Sequence, residues 1–307
     1  MSLLKNTKSL FSRTNLGRFR ATRSFSATKA IYSENTEKSI RDFPWLLSND
    51  KPRISKYPYE TEEAGPLMNI LPISIQHALS KWVGSRILQL NTGHDYFPDQ
   101  FMVGASLATR KALQLLSNQL SYGSKEEIQP EVETIFGPAL LHRYMNSAPT
   151  NANISIELPQ IYDVNVEDVW VTLGNSEAFA GNKKYDTFRW MTLQVGLIRS
   201  SNEEEESFDE HKQRIRASIV EGIQVYVDVT VDADVVYHAV EKETNNILLH
   251  DEGRRNIRVR FATPYFQPAR KMVSRRDPET GYPDNDWSWR IVDVDQLIEK
   301  ESMNESV

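Results

Sequence analysis

Apolar positions keep a helical period as far as about residue 150 and an alternating one beyond it. From Leu71 onward, Ile75, Leu79, Trp82, Val83, Ile87 and Leu90 share one face of an amphipathic helix, with Gln76, Lys81, Arg86 and Gln89 elsewhere and Gly93 to stop it. Core packing is the expected fate of that stripe; attachment to a membrane surface is the alternative, disfavoured because the polar face carries few charges. Residues 95–120 predict a second helix, whose stripe starts at Phe101 and then turns small at Ala105, Ala108 and Ala112 before Leu115 and Leu116. Short side chains let a backbone come close to its partner, so this helix is expected deep in the concave face of a sheet. It ends at Gly123. Ser124 and Glu127 then form a capping box for a third helix, on the stripe Ile128, Val132, Ile135, Phe136, Leu140 and Tyr144, which Pro138 should kink or split.

Past residue 150 the alternation predicts strands at 169–173, 186–199, 224–231 with an extension towards 240, 257–263 and 287–292. Short connections containing Asn and Gly make the pairing mostly antiparallel. Between the second and third strands lies NEEEESFDEHKQRIR, residues 202–216, which reads as an exposed, partly helical insertion. Helices first and strands afterwards predict an α+β fold: N-terminal helices packed on a curved, mostly antiparallel, cone-shaped sheet of four to five strands.

Composition narrows the classes. A chain of 307 residues, 39% hydrophobic, supports one main domain. The absence of cysteine excludes disulfide scaffolds, cysteine-ligated zinc, iron–sulfur clusters and thiol nucleophiles. No apolar run reaches the roughly 18 residues that a membrane-spanning helix needs.

The first 30 residues hold Lys5, Lys8, Arg13, Arg18, Arg20, Arg23 and Lys29, many Ser and Thr, and no acid before Glu34. That is the profile of a mitochondrial presequence. Arg23-Ser24-Phe25-Ser26 fits processing near Ser26, so residues 1–25 are expected to be removed. Losing them strips six positive charges and takes the formal charge from −6 to −12. Residues 26–66, punctuated by proline, read as a flexible linker, 67–301 as the α+β domain and 302–307 as a tail.

Against that acidity, the segment 254–276 holds Arg254, Arg255, Arg258, Arg260, Arg270, Lys271, Arg275 and Arg276, and no acid. Arg258 and Arg260 alternate with Ile257, Val259 and Phe261, so on a strand the arginines would line the solvent face. Such a surface suits an anionic lipid headgroup layer or the phosphates of ribosomal RNA; DNA is not expected. Acids on neighbouring strands, such as Asp228 and Asp232, would instead make it an ordinary balanced face.

Enzymatic signatures are absent: there is no GxGxxG, P-loop, HExxH or GxSxG. None of the six histidines stands at metal-ligand spacing to another, so no catalytic residue, metal or cofactor is expected. His238, near a strand end, is the one candidate if a pocket in the sheet hosts acid–base chemistry.

One resemblance draws these elements together. The amphipathic helix, then Asp95-Tyr96-Phe97, then Phe101-Met102-Val103-Gly104-Ala105 running into Leu115-Leu116-Ser117, then strands closing on Trp287-Ser288-Trp289-Arg290-Ile291, resembles the m-AAA protease-interacting protein family. That family sits in the superfamily of the mitochondrial import-motor membrane anchor, with an inner-membrane mitoribosome receptor and a mitoribosomal large-subunit protein. The resemblance covers about residues 67 to 300 and implies a cystatin- or nuclear-transport-factor-like cone. It also implies a matrix protein held peripherally on the inner membrane, which helps newly made or newly imported proteins reach the protease or insertion machinery. The implied partners are the m-AAA protease and its imported substrates, with the mitoribosome as the alternative. The insertion at 202–216 and the loop at 264–286 depart from the family's pattern.

Overall fold

A computed structural model describes residues 70–93, 95–122, 127–149, 151–200, 207–268 and 287–305. The expected presequence and linker, Ser124 and the cluster Arg270, Lys271, Arg275 and Arg276 lie outside them. In chain order the helices are α1 (Ile73–Thr92), α2 (Phe101–Tyr122), α3 (Pro130–Ile135) and α4 (Pro138–Ser147), with a kinked turn at Tyr96–Gln100 before α2. Then come β1 (Ala152–Glu157), β2 (Ile161–Leu173), β3 (Tyr185–Trp190), β4 (Leu193–Ile198), α5 (Phe208–Val220), β5 (Ile223–Glu241), β6 (Ile247–Ala262), β7 (Arg290–Val294) and α6 (Leu297–Glu305).

The fold is α+β, helices followed by one strongly curled mixed sheet. Strand order is β3-β4-β2-β5-β6-β7, and β1 pairs with β5 beyond the end of β2. All pairings are antiparallel except β2 with β4. β5 is the spine. Its odd-numbered residues from Ile223 to Ala239 are all buried, facing a core shared with Ile257, Val259 and Phe261 of β6. Alternation along 19 residues is what fixes one face of a strand against the core and leaves the other free for polar groups.

α2 lies across that core face, packed on β1, β2 and β5. Ala105 and Ala112 are buried with Phe101, Leu113, Leu116 and Leu120, and Ala108 is partly buried at the margin. The small stripe does what its pattern predicts. Pro138 also splits the third helix into α3 and α4, standing at the first turn of α4 where its missing N–H costs nothing. The capping box does not start α3, which begins at Pro130; Gln119 of α2 instead holds the approach, accepting from the Gln129 N–H at 3.0 Å and donating to the Glu127 carbonyl at 3.1 Å.

Seven strands replace the expected four to five. Residues 186–199 divide at a two-residue turn with Met191 at φ +51, a left-handed position that no Gly or Asn announces. β1 and the first half of β2 alternate too, but Asp163, Asn165 and Glu167 dilute the pattern where β2 has a strand partner on one side only. The insertion is more than exposed chain. Ser207 and Glu210 form a reciprocal capping box that starts α5, and α5 packs on β4, with Ser218 accepting from the Ile198 N–H and Arg214 donating to its carbonyl. At the other end α6 runs through Glu305, so residues 302–305 are helix rather than tail.

The outer edge of β1 is covered by a helix. Ser117 Oγ of α2 accepts from the Ile156 N–H at 2.7 Å, its single hydrogen shared between the Leu113 carbonyl at 2.8 Å and the Ile156 carbonyl at 3.1 Å, while Ser121 Oγ donates to the Ile154 carbonyl at 3.0 Å.

Candidate functional site

The described arginines of the basic segment sit on or beside the second face of the sheet. Arg258 and Arg260 alternate with core residues as expected, yet they do not line a solvent face: their side chains are only 11% and 16% exposed. Between them, on the neighbouring strand, is the fully buried Asp228. Arg260 grips it with two donors, Nε to Oδ1 at 2.6 Å and Nη2 to Oδ2 at 2.9 Å, and Arg258 adds Nη2 to Oδ2 at 2.7 Å. Trp170 donates its indole N–H to the same carboxylate at 2.8 Å and lies under the Arg260 guanidinium. Glu167 and Asp168 complete the neutralisation of Arg258, and Glu299 of α6 that of Arg260. Arg254 forks onto Asp232, and Arg255 pairs with Asp251.

These four arginines are therefore tied to acids of their own sheet and α6, not offered as an unopposed positive surface. Burial pushes the Asp228 carboxyl up, but the two guanidiniums outweigh it and hold the group below the usual carboxylate range.

Beside this network the sheet opens into two cavities of ≈ 780 and ≈ 330 Å³ that share Gln224, Tyr226 and Arg260. The larger is an open cleft lined by the first turn of α4, by Trp287, by α6 and by Asp293 and Glu299. Asp293 is a helix cap: its two oxygens accept from the N–H groups of Ile298 and Glu299, each at 3.0 Å. Burial pushes its carboxyl up to about 6, against the pull of those N–H groups and of Arg260.

The sign of the consequence follows. Folded Asp293 takes up its proton at a higher pH than the unfolded chain does, so its contribution favours folding at low pH and is lost as pH rises through about 6. An Asp293→Asn variant keeps one cap acceptor and cannot titrate. Chemical denaturation at several pH values should show its stability gaining on the wild type between roughly pH 4 and 6; a constant difference would place the titration elsewhere. His238 lines neither cavity.

The larger departure from the sequence pattern is α1, which is turned over. Its buried row is Gln76, Ser80, Gly84 and Leu88, continuing to Asn91 and Thr92. A Cβ on Gly84 would stand 2.9 Å from the Val169 carbonyl oxygen, so only glycine allows the helix this close to β2. Gln76 accepts from the Trp190 indole, Ser80 accepts from Thr192, Lys81 donates to the Val166 carbonyl at 3.0 Å, and His77 meets Asp168 at 2.7 Å. Of the stripe expected in the core, Ile75, Leu79 and Trp82 face out instead, while Val83, Ile87 and Leu90 are half-buried and Ile87 packs against the core. Ile73 and Trp82 are 71% and 64% exposed, with Ile75 and Leu79 between them.

On α2, Val103 and Leu107 are exposed as well, followed along the helix by Arg110 and Lys111. Neither α1 nor α2 contains an acid, while they carry Lys81, Arg86, Arg110 and Lys111. Grouped, exposed apolar side chains of this kind mark interaction surfaces, and their setting is basic in a chain that is acidic overall. Gly84 with Ser80 four residues before it was the available signal, the same small-residue rule that located the buried face of α2.

Searches against models of known protein families and against curated protein sequences find no match to this chain.

Proposed function

We propose that the protein is a non-enzymatic mitochondrial matrix factor, peripherally bound to the inner membrane. There it assists the sorting, assembly or quality control of newly imported or newly made membrane proteins, with the m-AAA protease as its principal partner. The observation that carries the membrane part of this reading is the outward stripe of α1. Ile73, Ile75, Leu79 and Trp82 present apolar surface on a helix that has basic residues and no acids. Among the described residues no helix is long and apolar enough to cross a membrane, so insertion by this face is interfacial. Apolar burial and attraction to anionic headgroups act together there, the latter at about 1 kcal/mol per basic residue near the surface. The presequence profile and the family resemblance support the compartment and the partner.

Co-sedimentation with vesicles containing anionic phospholipid tests the membrane part. A variant with Ile75, Leu79 and Trp82 all changed to Gln alters only exposed positions, so it should fold. Its vesicle binding should fall by at least about 100-fold, since three side chains that each contribute roughly 1 kcal/mol on partial insertion, below the roughly 1.5–3 kcal/mol of full burial, together give about 3 kcal/mol. Equal binding by wild type and variant would overturn the assignment of this face. Affinity purification in mild detergent tests the partner: recovery of the m-AAA protease supports the reading, and recovery of the large mitoribosomal subunit without protease replaces it with the ribosome-receptor one.

A further inference from the structure

Among the described residues β6 has a strand partner on its far side only at Val259–Ala262, where β7 lies. The half before that, as far as Asn256, pairs with β5 alone, His250 standing opposite His238. The end of the ladder fixes its phase. Thr263 donates its N–H to the Val225 carbonyl of β5 at 2.9 Å, whereas Arg258 turns the other way, its N–H donating to Asp295 Oδ1 and its carbonyl accepting from the Asp295 N–H. Odd-numbered residues of β6 therefore bond to β5, and the N–H and C=O groups of His250, Glu252, Arg254 and Asn256 point outward. A Cβ on Gly253 would meet nothing within 4 Å, so the middle of this edge is open. An open edge is a template for another strand.

Its charges decide which strand fits. The order is Asp251, Glu252, Gly253, Arg254, Arg255, acids before the glycine and arginines after it. We propose that this edge of β6 pairs antiparallel with the same edge of a second copy of the chain, about a two-fold axis at Gly253. In that register Glu252 stands opposite the partner's Arg254, and Asp251 opposite the partner's Arg255. The backbone phase agrees. Glu252 with Arg254, and His250 with Asn256, bring outward N–H and C=O groups together, so each facing pair exchanges two hydrogen bonds, while Gly253 meets its copy at the closer, non-bonded position. Glu252 and Arg254 have the reach, with side chains 65% and 57% exposed, and Arg254 spends only Nε and Nη2 on Asp232. Asp251 and Arg255, already paired within each chain, close with their copies into a ring of alternating charge. Slipping the register by two residues either way sets Glu252 against Glu252 or Arg254 against Arg254, so charge selects one alignment. The interface is isologous, each copy supplying the same patch. It rests neither on the outward stripe of α1 nor on the compartment.

The chain has no cysteine, so Gly253→Cys puts a single thiol at the axis. Facing residues at a non-bonded antiparallel position have Cα atoms about 4.5 Å apart, inside the roughly 4.4–6.8 Å that a disulfide spans. Under mild oxidation the full chain carrying Gly253→Cys should form a covalent dimer at least about tenfold faster than Val220→Cys, an exposed position of α5, because pairing holds the two thiols together. Sedimentation at low salt gives the second measurement. The wild type should dimerise, and either Arg254→Glu with Arg255→Glu, or Asp251→Arg with Glu252→Arg, should raise the dissociation constant by at least about tenfold by setting like charges opposite each other. Mixing those two variants should restore association as a heterodimer, since acids then face arginines throughout, a rescue that a folding defect cannot produce. A wild type monomeric at every concentration, equal cross-linking of the two cysteine variants, or a mixture no more associated than its components would overturn the proposal.

Discussion

Replacing Asp228 with Ala should cost about 3–5 kcal/mol of folding stability, the loss expected when one partner of a buried ion pair is removed and its opposite charge stays behind. Asp228 has no exposed surface and accepts from Arg258, Arg260 and Trp170 together. Without it, two guanidiniums 11% and 16% exposed face each other across the second side of the sheet. Urea denaturation gives the number.

The pH dependence supplies a second signature. Asp228 is held below the usual range, so its stabilisation is present at neutral pH and is lost only as pH falls through its folded value, opposite in sense to Asp293. A loss under about 1 kcal/mol for Asp228→Ala would mean that water or a shifted acid takes its place.

Ala112→Leu should cost about 1–3 kcal/mol through overpacking. Ala112 is 1% exposed, and the void beside it, between Thr109, Phe136, Ile257 and Val259, measures only ≈ 10 Å³. An isobutyl group cannot enter that space without lifting α2 from β6 and β7. The matching change at the exposed Leu107, to Ala, should alter stability by under about 0.5 kcal/mol and so controls for helix propensity. Equal thermal midpoints for wild type and Ala112→Leu would place the small face away from the sheet.

Patterns that repeat over many residues were legible. The alternation of β5 and the small stripe of α2 each bury one face over four or more turns or pleats, and nothing local competes with that signal. Patterns that depend on a neighbour were not. Ile75, Leu79 and Trp82 of α1 face outward because hydrophobicity marks surface that prefers to leave water, whereas Gly84 and Ser80 mark where a backbone can come close, and at this edge the second constraint decides. The arginines of β6 were placed on the correct face, but the acids that neutralise them come from β2, β5 and α6, up to 91 residues away in the chain. The pairing of His238 with His250 is hidden for the same reason: a register, not a spacing, brings them together.

The two serines on α2 have a consequence for the newborn chain. Ser117 presents to Ile156 an acceptor and a hydrogen shared with the Leu113 carbonyl, and Ser121 gives Ile154 a donor, so two hydroxyls on a helix stand in for the strand that β1 lacks. An unpaired strand edge is a template on which another extended polypeptide can zip. Until α2 docks, the carbonyls of Ile154 and Ile156 and the Ile156 amide are such a template for any extended chain nearby. The helix precedes the strand in the sequence and so emerges first, whether from a ribosome or from an import channel. The fold thus carries its own chaperone for its stickiest edge, delivered ahead of the segment it guards.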